Sequence, residues 1–148
     1  MFRILPCQSS EQAGWLFLRQ ALWPHASERE HRDEIDEQLR QPQRYINLVA
    51  YDRQEQPVGL AEASLRRDYV NGTDNSPVVF LEGIYVVPQQ RRHGVAKQLT
   101  ECVAQWGREQ GCVQMASDTD LDNLASQETH RALGFEETER VVFFKRQL

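Results

Sequence analysis

Hydrophobic and polar positions follow patterns along the chain that predict ten secondary-structure elements. Short runs rich in β-branched and aromatic residues predict strands over residues 1–7, 45–51, 58–67, 78–87, 113–117 and 141–144. Apolar residues recur at helical spacing over residues 15–23, 27–41, 94–108 and 123–133, which predicts four helices. The predicted order is strand, two helices, three strands, helix, strand, helix and strand. We expect the three consecutive strands to form a meander.

Two polar patterns mark the predicted beginnings of the first two helices. Ser9 is followed three residues later by Gln12, and Ser27 is followed by Glu30. Both pairs fit the capping box, in which a hydroxyl oxygen accepts a hydrogen bond from the backbone N–H three residues further on. We therefore expect Ser9 and Ser27 to cap these helices.

Composition and charge restrict the class of protein. The chain has 148 residues, of which 40% are hydrophobic and 26% are charged, and this predicts a soluble globular protein with one domain over residues 1–148. No apolar stretch reaches the length of about 18 residues that a transmembrane helix needs. No signal-peptide pattern opens the chain either, so we expect a cytoplasmic location. The net charge of −5 argues against nucleic-acid binding and favours a cationic partner.

The segment over residues 91–96, Arg-Arg-His-Gly-Val-Ala, lies between a predicted strand and a predicted helix. A helix that starts at a glycine leaves backbone N–H groups free, and the small side chains of Gly94 and Ala96 let an anion approach them. Arg91 and Arg92 add positive charge at the rim. The segment lacks the glycines of a P-loop or a dinucleotide fingerprint. It predicts a pyrophosphate site of another kind, and a solvated basic turn is the alternative.

Two motifs resemble those of the GCN5-related N-acetyltransferases, the GNAT family. The segment 91–96 is similar to the acetyl-CoA signature of that family, and a second motif has its members at Asn123, Ser126, His130, Gly134 and Phe135. At His130 the family usually has a tyrosine that can donate a proton to the leaving CoA thiolate. A protonated imidazole is able to donate there, and an exposed histidine without a chemical role is the alternative. The resemblance implies an α/β (α+β) fold, in which helices flank a mixed, mostly antiparallel sheet.

Within this family, the chain resembles the chromosomal aminoglycoside 6'-N-acetyltransferases of bacteria. The strings that carry this resemblance lie at residues 22–24, 68–72, 76–84, 116–118 and 134–139. It implies transfer of an acetyl group from acetyl-CoA to the 6'-amine of aminoglycoside antibiotics by direct attack in a ternary complex, which confers resistance. It also implies a homodimer, in which Phe143 and Phe144 serve an interface or simply the core. The alternatives are a GNAT enzyme that acetylates another small polyamine or a protein amine, and a CoA-binding regulator without activity.

A carboxylate within the central apolar strand indicates where the substrate binds. Glu82 lies between Leu81 and Gly83, and a buried carboxylate there is costly unless it faces a cation or a cleft. Further acidic residues follow the fifth strand and the last helix, where the carboxyl ends of the strands are expected to open. The resemblance implies that three carboxylates hold the ammonium groups of the aminoglycoside and that two aromatic residues form walls. These five residues are Glu82, Asp118, Glu139, Trp23 and Tyr69.

Several of these residues have structural alternatives. Trp23 is also consistent with a core residue that closes the first helix, and Tyr69 with an ordinary aromatic residue of a loop. Asp122 is a candidate cap for the helix that begins at Asn123.

The chemistry requires a base, because an amine attacks a thioester only in its unprotonated form. Asp118 is the first candidate and Glu82 is the second, and both are able to act through water. Backbone N–H groups over residues 84–86 are expected to stabilise the oxyanion. Cys7, Cys102 and Cys112 are an odd number without metal-ligand spacing or a neighbouring base, so we expect reduced thiols in packed positions, no thiol nucleophile and no metal site.

The resemblance implies two sets of contacts with acetyl-CoA. The backbone of the fourth strand, at Ile84, Tyr85 and Val86, would pair with the pantetheine arm as an additional strand would. Asn123 would reach the same arm from the opposite side. The pyrophosphate would be held by a run of six residues, namely Arg92, His93, Gly94, Val95, Ala96 and Lys97.

Overall fold

Five strands of the chain form one sheet, in the order in which they occur in the sequence. The computed structural model describes residues 2–148. The strands are β1 (Arg3–Pro6), β2 (Tyr45–Tyr51), β3 (Pro57–Arg66), β4 (Val78–Val86) and β5 (Met115–Ser117), and the helices are α1 (Trp15–Leu22), α2 (Glu28–Leu39), α3 (Val95–Glu109) and α4 (Leu124–Ala132). Strands β1 to β4 are antiparallel neighbours, and β5 is parallel to β4. The predicted mixed, mostly antiparallel sheet is confirmed.

Helices cover the two faces of this sheet. The apolar face of α3 packs on one side through Val95, Leu99 and Val103. On the other side, α1 and α2 contribute Trp15 and Ile35 to a second cluster. Because β2 and β3 are covered on both faces, almost all of their residues are buried, and their sequences read as continuous apolar runs.

The capping prediction is right for α2 and wrong for α1. The Ser27 hydroxyl oxygen accepts a hydrogen bond from the backbone N–H of Glu30 at 3.1 Å. At Ser9 the chain instead makes a separate turn, in which the N–H of Gln12 donates to the backbone carbonyl of Ser9. Helix α1 begins only at Trp15, after Gly14 in a left-handed conformation.

The cap of α4 and the packing of one thiol also differ from expectation. The side chain of Asn123 accepts a hydrogen bond from the N–H of Ser126, so Asn123 rather than Asp122 caps this helix.

Cys102 lies exposed on α3, whereas Cys112 is buried and Cys7 is partly buried. The packed position predicted for Cys102 is therefore wrong, because this residue faces away from the apolar stripe of its helix.

The predicted last strand is not formed. Residues 133–148 follow α4 without regular secondary structure, and Phe143 and Phe144 are 87% and 92% exposed. Their alternative place in the core is therefore excluded. A period-two pattern predicts a strand only where a neighbouring edge is available to pair with it. Among residues 2–148 the tail pairs with no such edge.

Strand β4 contains a bulge at one predicted site residue. Ala63 of β3 pairs with Leu81, and the preceding Glu62 pairs with Gly83. Glu82 is therefore the additional residue on β4, and a bulge of this kind changes the direction of its side chain.

Strands β4 and β5 stay together over only a short distance. The three residues of β5 pair with Val79, Phe80 and Leu81. Beyond Leu81, β4 continues to Val86 with β3 as its neighbour on one side and without a paired strand on the other among residues 2–148. The two strands thus separate into a fork at Leu81 and Ser117.

Candidate active site

A cleft of about 1260 Å³ lies between the end of α1, helix α2 and the sheet. Its lining includes five carboxylates and three guanidinium groups, so the lining is net negative and suits a polycation. The carboxylates belong to Glu34, Glu37, Glu62, Asp68 and Glu82, and the guanidinium groups belong to Arg44, Arg66 and Arg67.

The carboxylate of Glu82 faces this cleft and is held by its neighbours on β3. The Arg66 guanidinium donates to it from Nη2 at 2.9 and 3.0 Å, and the Ser64 hydroxyl donates at 2.6 Å. Arg66 itself lies over the ring of Phe80, 3.6 Å from the centroid. Glu82 therefore faces both a cation, Arg66, and a cleft, as the sequence predicted. Arg66 was not found from the sequence, because the pairing depends on the bulge.

The two predicted aromatic walls also line the cleft. Trp23 follows α1 directly, and its indole lies so close to Gly83 that a Cβ atom at position 83 would collide with it. The guanidinium of Arg19 lies 4.9 Å from the centre of the indole. Tyr69 is 75% exposed in the loop between β3 and β4. The structure thus brings Trp23, Tyr69 and Glu82 together.

A buried ion pair that the sequence did not reveal lies under the cleft. Arg19 and Glu62 are both 1% exposed and form a direct salt bridge. Glu62 also accepts a hydrogen bond from the Trp15 indole at 2.7 Å, and Arg19 also pairs with Glu34. A charge of either sign buried alone here would be strongly destabilising. The available signal was Glu62 itself, because it lies within an apolar strand as Glu82 does.

His31 connects this ion pair to Trp23. Its Nδ1 accepts a hydrogen bond from Arg19 Nε at 3.2 Å, which assigns the ring proton to Nε2. Nε2 in turn donates to the backbone carbonyl of Trp23 at 3.1 Å. Arg19 and His31 therefore hold the indole and the backbone of Trp23 together.

The other two predicted carboxylates lie outside the cleft lining. Asp118 is exposed and follows Ser117, the last residue of β5, whose partner on β4 is Leu81. Glu139 is exposed in the C-terminal tail, and the adjacent Thr138 packs against Gly72 of the loop that carries Tyr69. Neither Asp118 nor Glu139 lines the cleft.

The rim of the cleft includes a carboxylate whose charge is stabilised. The Arg40 guanidinium donates a hydrogen bond to Glu37 and lowers the pKa of that carboxyl below its ordinary value. Glu37 therefore stays negative at neutral pH.

The beginning of α3 has the geometry that the segment 91–96 predicts. Gly94 adopts a φ of 85°, which favours glycine, and no protein atom lies within 4 Å of the position that a Cβ would take there. The first helical hydrogen bond runs from Gln98 to the Gly94 carbonyl, so the N–H groups of Val95, Ala96 and Lys97 have no partner within the helix. No acidic side chain lies in the first turn. This arrangement fits an anion such as a pyrophosphate.

The side chains of this segment have different roles. Val95 is buried in the core, so only its backbone is available to a ligand, whereas Arg92, His93 and Lys97 are exposed. Arg91 donates from Nε to the carbonyl of Val86 at 2.9 Å and thus joins the loop to β4.

The remaining residues predicted to contact acetyl-CoA lie on β4 and at the N-cap of α4. Ile84, Tyr85 and Val86 pair with β3 and leave the opposite edge of β4 open, which suits an extended amide-containing chain. Asn123 uses its carbonyl oxygen to cap α4, and this leaves its amide group as the donor.

The three thiols have raised pKa values. Burial raises the pKa of the Cys7 thiol far above its usual range, and it also raises the pKa values of Cys102 and Cys112. These thiols are therefore protonated and weak nucleophiles at neutral pH. Among residues 2–148, no cluster of His, Cys, Asp or Glu side chains fits a metal ion, and no helix has the length and apolar content to cross a membrane.

Comparison with known protein families identifies the chain. The sequence profile of the Acetyltransferase (GNAT) family matches residues 13–135. The chain belongs to the GNAT family. The predicted membership of this family is thereby confirmed.

GNAT proteins of known activity are similar to the chain over nearly their whole length. The aminoglycoside N(6')-acetyltransferases type 1 of Acinetobacter genomosp. 13 and Serratia marcescens are each 48% identical to this chain over 145 residues. The aligned residues cover 98% of this chain, 98% of the Acinetobacter protein and 99% of the Serratia protein. A solved GNAT structure, AAC(6')-Iy with the bisubstrate analog CoA-S-monomethyl-acetylneamine, has a TM-score of 0.93 and 44% identity, and covers 100% of this chain and 99% of that one. The enzyme AAC(6')-Ih of Acinetobacter baumannii has a TM-score of 0.94 and 43% identity, with coverage of 100% and 99%.

Proposed function

We propose that this protein transfers the acetyl group of acetyl-CoA to the 6'-amine of aminoglycosides by direct attack within a ternary complex. The observation that carries this proposal is the 48% identity to aminoglycoside N(6')-acetyltransferases over 98% of the chain. The bisubstrate compound in the similar AAC(6')-Iy structure joins CoA to an aminoglycoside fragment, which supports attack without an acyl-enzyme.

The cleft suits such a substrate. An aminoglycoside carries several ammonium groups and hydroxyl groups, and the cleft lining offers partly exposed carboxylates at Glu34, Glu37 and Glu82. Trp23 and Tyr69 provide flat walls for sugar rings. The site residues that we propose for the substrate remain Trp23, Tyr69, Glu82, Asp118 and Glu139.

The acetyl donor would lie along the open edge of β4. The N–H groups at the start of α3 would hold its pyrophosphate, and the backbone of Ile84 to Val86 would hold the pantetheine arm. We infer that the thioester would then lie near the fork at Leu81 and Ser117.

Asp118 is better placed than Glu82 to act as the base. Glu82 already accepts hydrogen bonds from Arg66 and Ser64, whereas Asp118 has no ion-pair partner among residues 2–148. We assign proton acceptance from the amine to Asp118, directly or through water, and the binding of an ammonium group to Glu82.

A panel of acceptors tests the activity. Release of the CoA thiol is measured with aminoglycosides that have a 6'-amine, with aminoglycosides that lack it, with spermidine and with a lysine peptide. We expect release only with the 6'-amino compounds. Release with the polyamine or the peptide instead would indicate another GNAT substrate, and acetyl-CoA binding without release would indicate a regulator.

The role of Asp118 has a matched control in the same loop. Asp118→Asn should lower kcat by about 10²-fold with a small change in acetyl-CoA affinity, because general-base catalysis typically contributes at least that much. Asp120→Asn removes a similar exposed charge two residues away and should leave kcat nearly unchanged. Equal effects of the two variants would reject Asp118 as the base.

The exposed tail supports a homodimer. Val142, Phe143 and Phe144 are consecutive and largely exposed, and large apolar side chains exposed together typically mark an interface. Light scattering should give the mass of two 17.2 kDa chains, and Phe143→Asp with Phe144→Asp should give one. A wild-type monomer would contradict this proposal.

The cellular role follows from the reaction. Because the reaction consumes acetyl-CoA, we place the protein in the cytoplasm, where that metabolite is available. Acetylation of the 6'-amine removes a positive charge from the antibiotic, and we propose that this confers aminoglycoside resistance. Expression in a susceptible bacterium should raise the inhibitory concentration of 6'-amino compounds alone.

A further inference from the structure

Trp23 lies in a segment that no helix or strand holds in place. Helix α1 ends at Leu22, α2 begins at Glu28, and residues 23–27 connect them. Pro24 follows Trp23 directly and cannot extend α1, because proline has no backbone N–H to donate. Trp23 nevertheless lines the cleft. The position of this wall therefore depends on contacts with other elements.

Helix α2 supplies one of these contacts through His31. His31 and Ile35 are the buried residues of α2 and lie one helical turn apart on the same face. His31 is 1% exposed, and its Nε2 donates to the backbone carbonyl of Trp23 at 3.1 Å. The same carbonyl also accepts from the N–H of Ala26 at 3.3 Å. His31 thus ties the backbone of Trp23 to the neighbouring helix.

Arg19 holds the side chain of Trp23. Its guanidinium lies 4.9 Å from the centre of the indole. Nε donates to Nδ1 of His31, Nη1 donates to Glu62, and Nη2 donates to Glu34. A guanidinium that is held at all three nitrogens has a fixed plane, and the indole that packs on it is oriented by that plane.

The edge of the indole lies against strand β4. Gly83 has no side chain, and a Cβ atom there would collide with the indole and with Leu22. The indole is thus confined by the Arg19 guanidinium and by the backbone of β4. It lies beside the strand residue that precedes Gly83, which is Glu82.

His31 contacts both the backbone of Trp23 and the group on which the indole packs. A carbonyl oxygen only accepts and the Nε of an arginine only donates, so the two contacts need a donor at Nε2 and an acceptor at Nδ1 of the imidazole. One tautomer of His31 satisfies both. A wall that is in place before the substrate binds does not lose the free energy that ordering it on binding would cost.

We propose that His31 is a positioning residue for the substrate, which acts through Trp23 and holds this wall of the cleft in its binding orientation in the empty protein. Because His31 is almost completely buried, it has little surface with which to contact the substrate itself. The proposal rests on the proposed function, in which Trp23 packs against a sugar ring. The alternative is a core histidine that stabilises the fold and has no effect on the substrate.

Two substitutions separate the two contacts of the imidazole. In His31→Gln the amide nitrogen is as many bonds from Cβ as the ring Nε2 is, so this variant keeps the donor to Trp23. In His31→Asn the amide oxygen replaces the ring Nδ1, so this variant keeps the acceptor for Arg19 and loses the donor to Trp23. Each variant loses one buried hydrogen bond, and both should lower Tm by a similar amount.

We expect only His31→Asn to weaken substrate binding. Its KM for a 6'-amino aminoglycoside should rise about tenfold, as the loss of one hydrogen bond implies, while kcat and the KM for acetyl-CoA change little. His31→Gln should keep the KM of the wild type. His25→Asn makes the same change at an exposed histidine of residues 23–27 and serves as the control. An equal rise in KM for both His31 variants, or no rise for His31→Asn, would overturn the proposal.

The orientation of Trp23 is measured without substrate. The protein has three tryptophans, so labelling with 5-fluorotryptophan gives three ¹⁹F resonances, and Trp23→Phe assigns one of them. In the empty protein, His31→Asn should shift or broaden this resonance and His31→Gln should leave it unchanged. An unchanged resonance in His31→Asn would refute this inference and leave the proposed function untouched. A wild-type protein that releases no CoA with 6'-amino aminoglycosides would refute the proposed function and leave the ¹⁹F result standing.

Discussion

Gly94 offers the sharpest test of the acetyl-CoA site, because another glycine of the same helix provides a control. Gly94 precedes α3 with a φ of 85°, and Gly111 follows it with a φ of 87°. At both positions an added Cβ would meet no protein atom within 4 Å. Replacing either glycine by alanine therefore costs backbone strain alone, about 1 kcal/mol in each case.

The two substitutions differ in what a bound ligand would meet. Both should lower Tm by a similar few degrees, on the order of 3 °C for a chain of this size. At Gly94 the new methyl group also occupies the space from which an anion approaches the free N–H groups of α3. We expect Gly94→Ala to raise the Kd for acetyl-CoA at least tenfold, which corresponds to about 1.4 kcal/mol.

Titration calorimetry with acetyl-CoA and differential scanning calorimetry measure the two quantities separately. Gly111→Ala should match Gly94→Ala in Tm and the wild type in Kd. If both variants bind acetyl-CoA with the same affinity, the start of α3 is not the pyrophosphate site and the reasoning about this segment is wrong.

Four further predictions concern the core and the thiols. Arg19→Met leaves Glu62 buried without its partner, so it should lower the free energy of unfolding by about 3–5 kcal/mol, as measured by urea titration. A smaller decrease in this free energy would show that water reaches the ion pair. Gly107→Ala places a methyl group 2.8 Å from Val79 and should lower the free energy of unfolding by about 1–3 kcal/mol in the same titrations, and an unchanged value would contradict this. Iodoacetamide should label exposed Cys102 in the native protein and Cys7 only after unfolding, as mass spectrometry will show. Because burial raises the pKa of Cys7 above its ordinary value of 9.0, unfolding lets this thiol ionise, so its contribution to stability is complete below pH 9 and falls above it.

The sequence determined the parts of this protein that depend on neighbouring residues. Helical and strand periodicity predicted nine of the ten elements correctly, the Ser27 cap forms as the capping box requires, and Gly94 adopts a left-handed conformation before α3. These signals are readable because residues a few positions apart decide them. The carboxylate of Glu82 was identified by the same local reasoning, since an acid within an apolar strand must meet a cation or a cleft.

The tertiary structure decided the parts that depend on residues far apart in the chain. Arg19 meets Glu62 across 43 positions, Arg66 reaches Glu82 only through a bulge, and Ser117 meets His130 only where two strands separate. The predicted last strand failed for the same reason, because hydrogen-bonding edges are supplied by other segments and not by the pattern itself. Buried polar groups find their partners only when the whole chain packs, since the cost of burying them is offset between elements rather than within one.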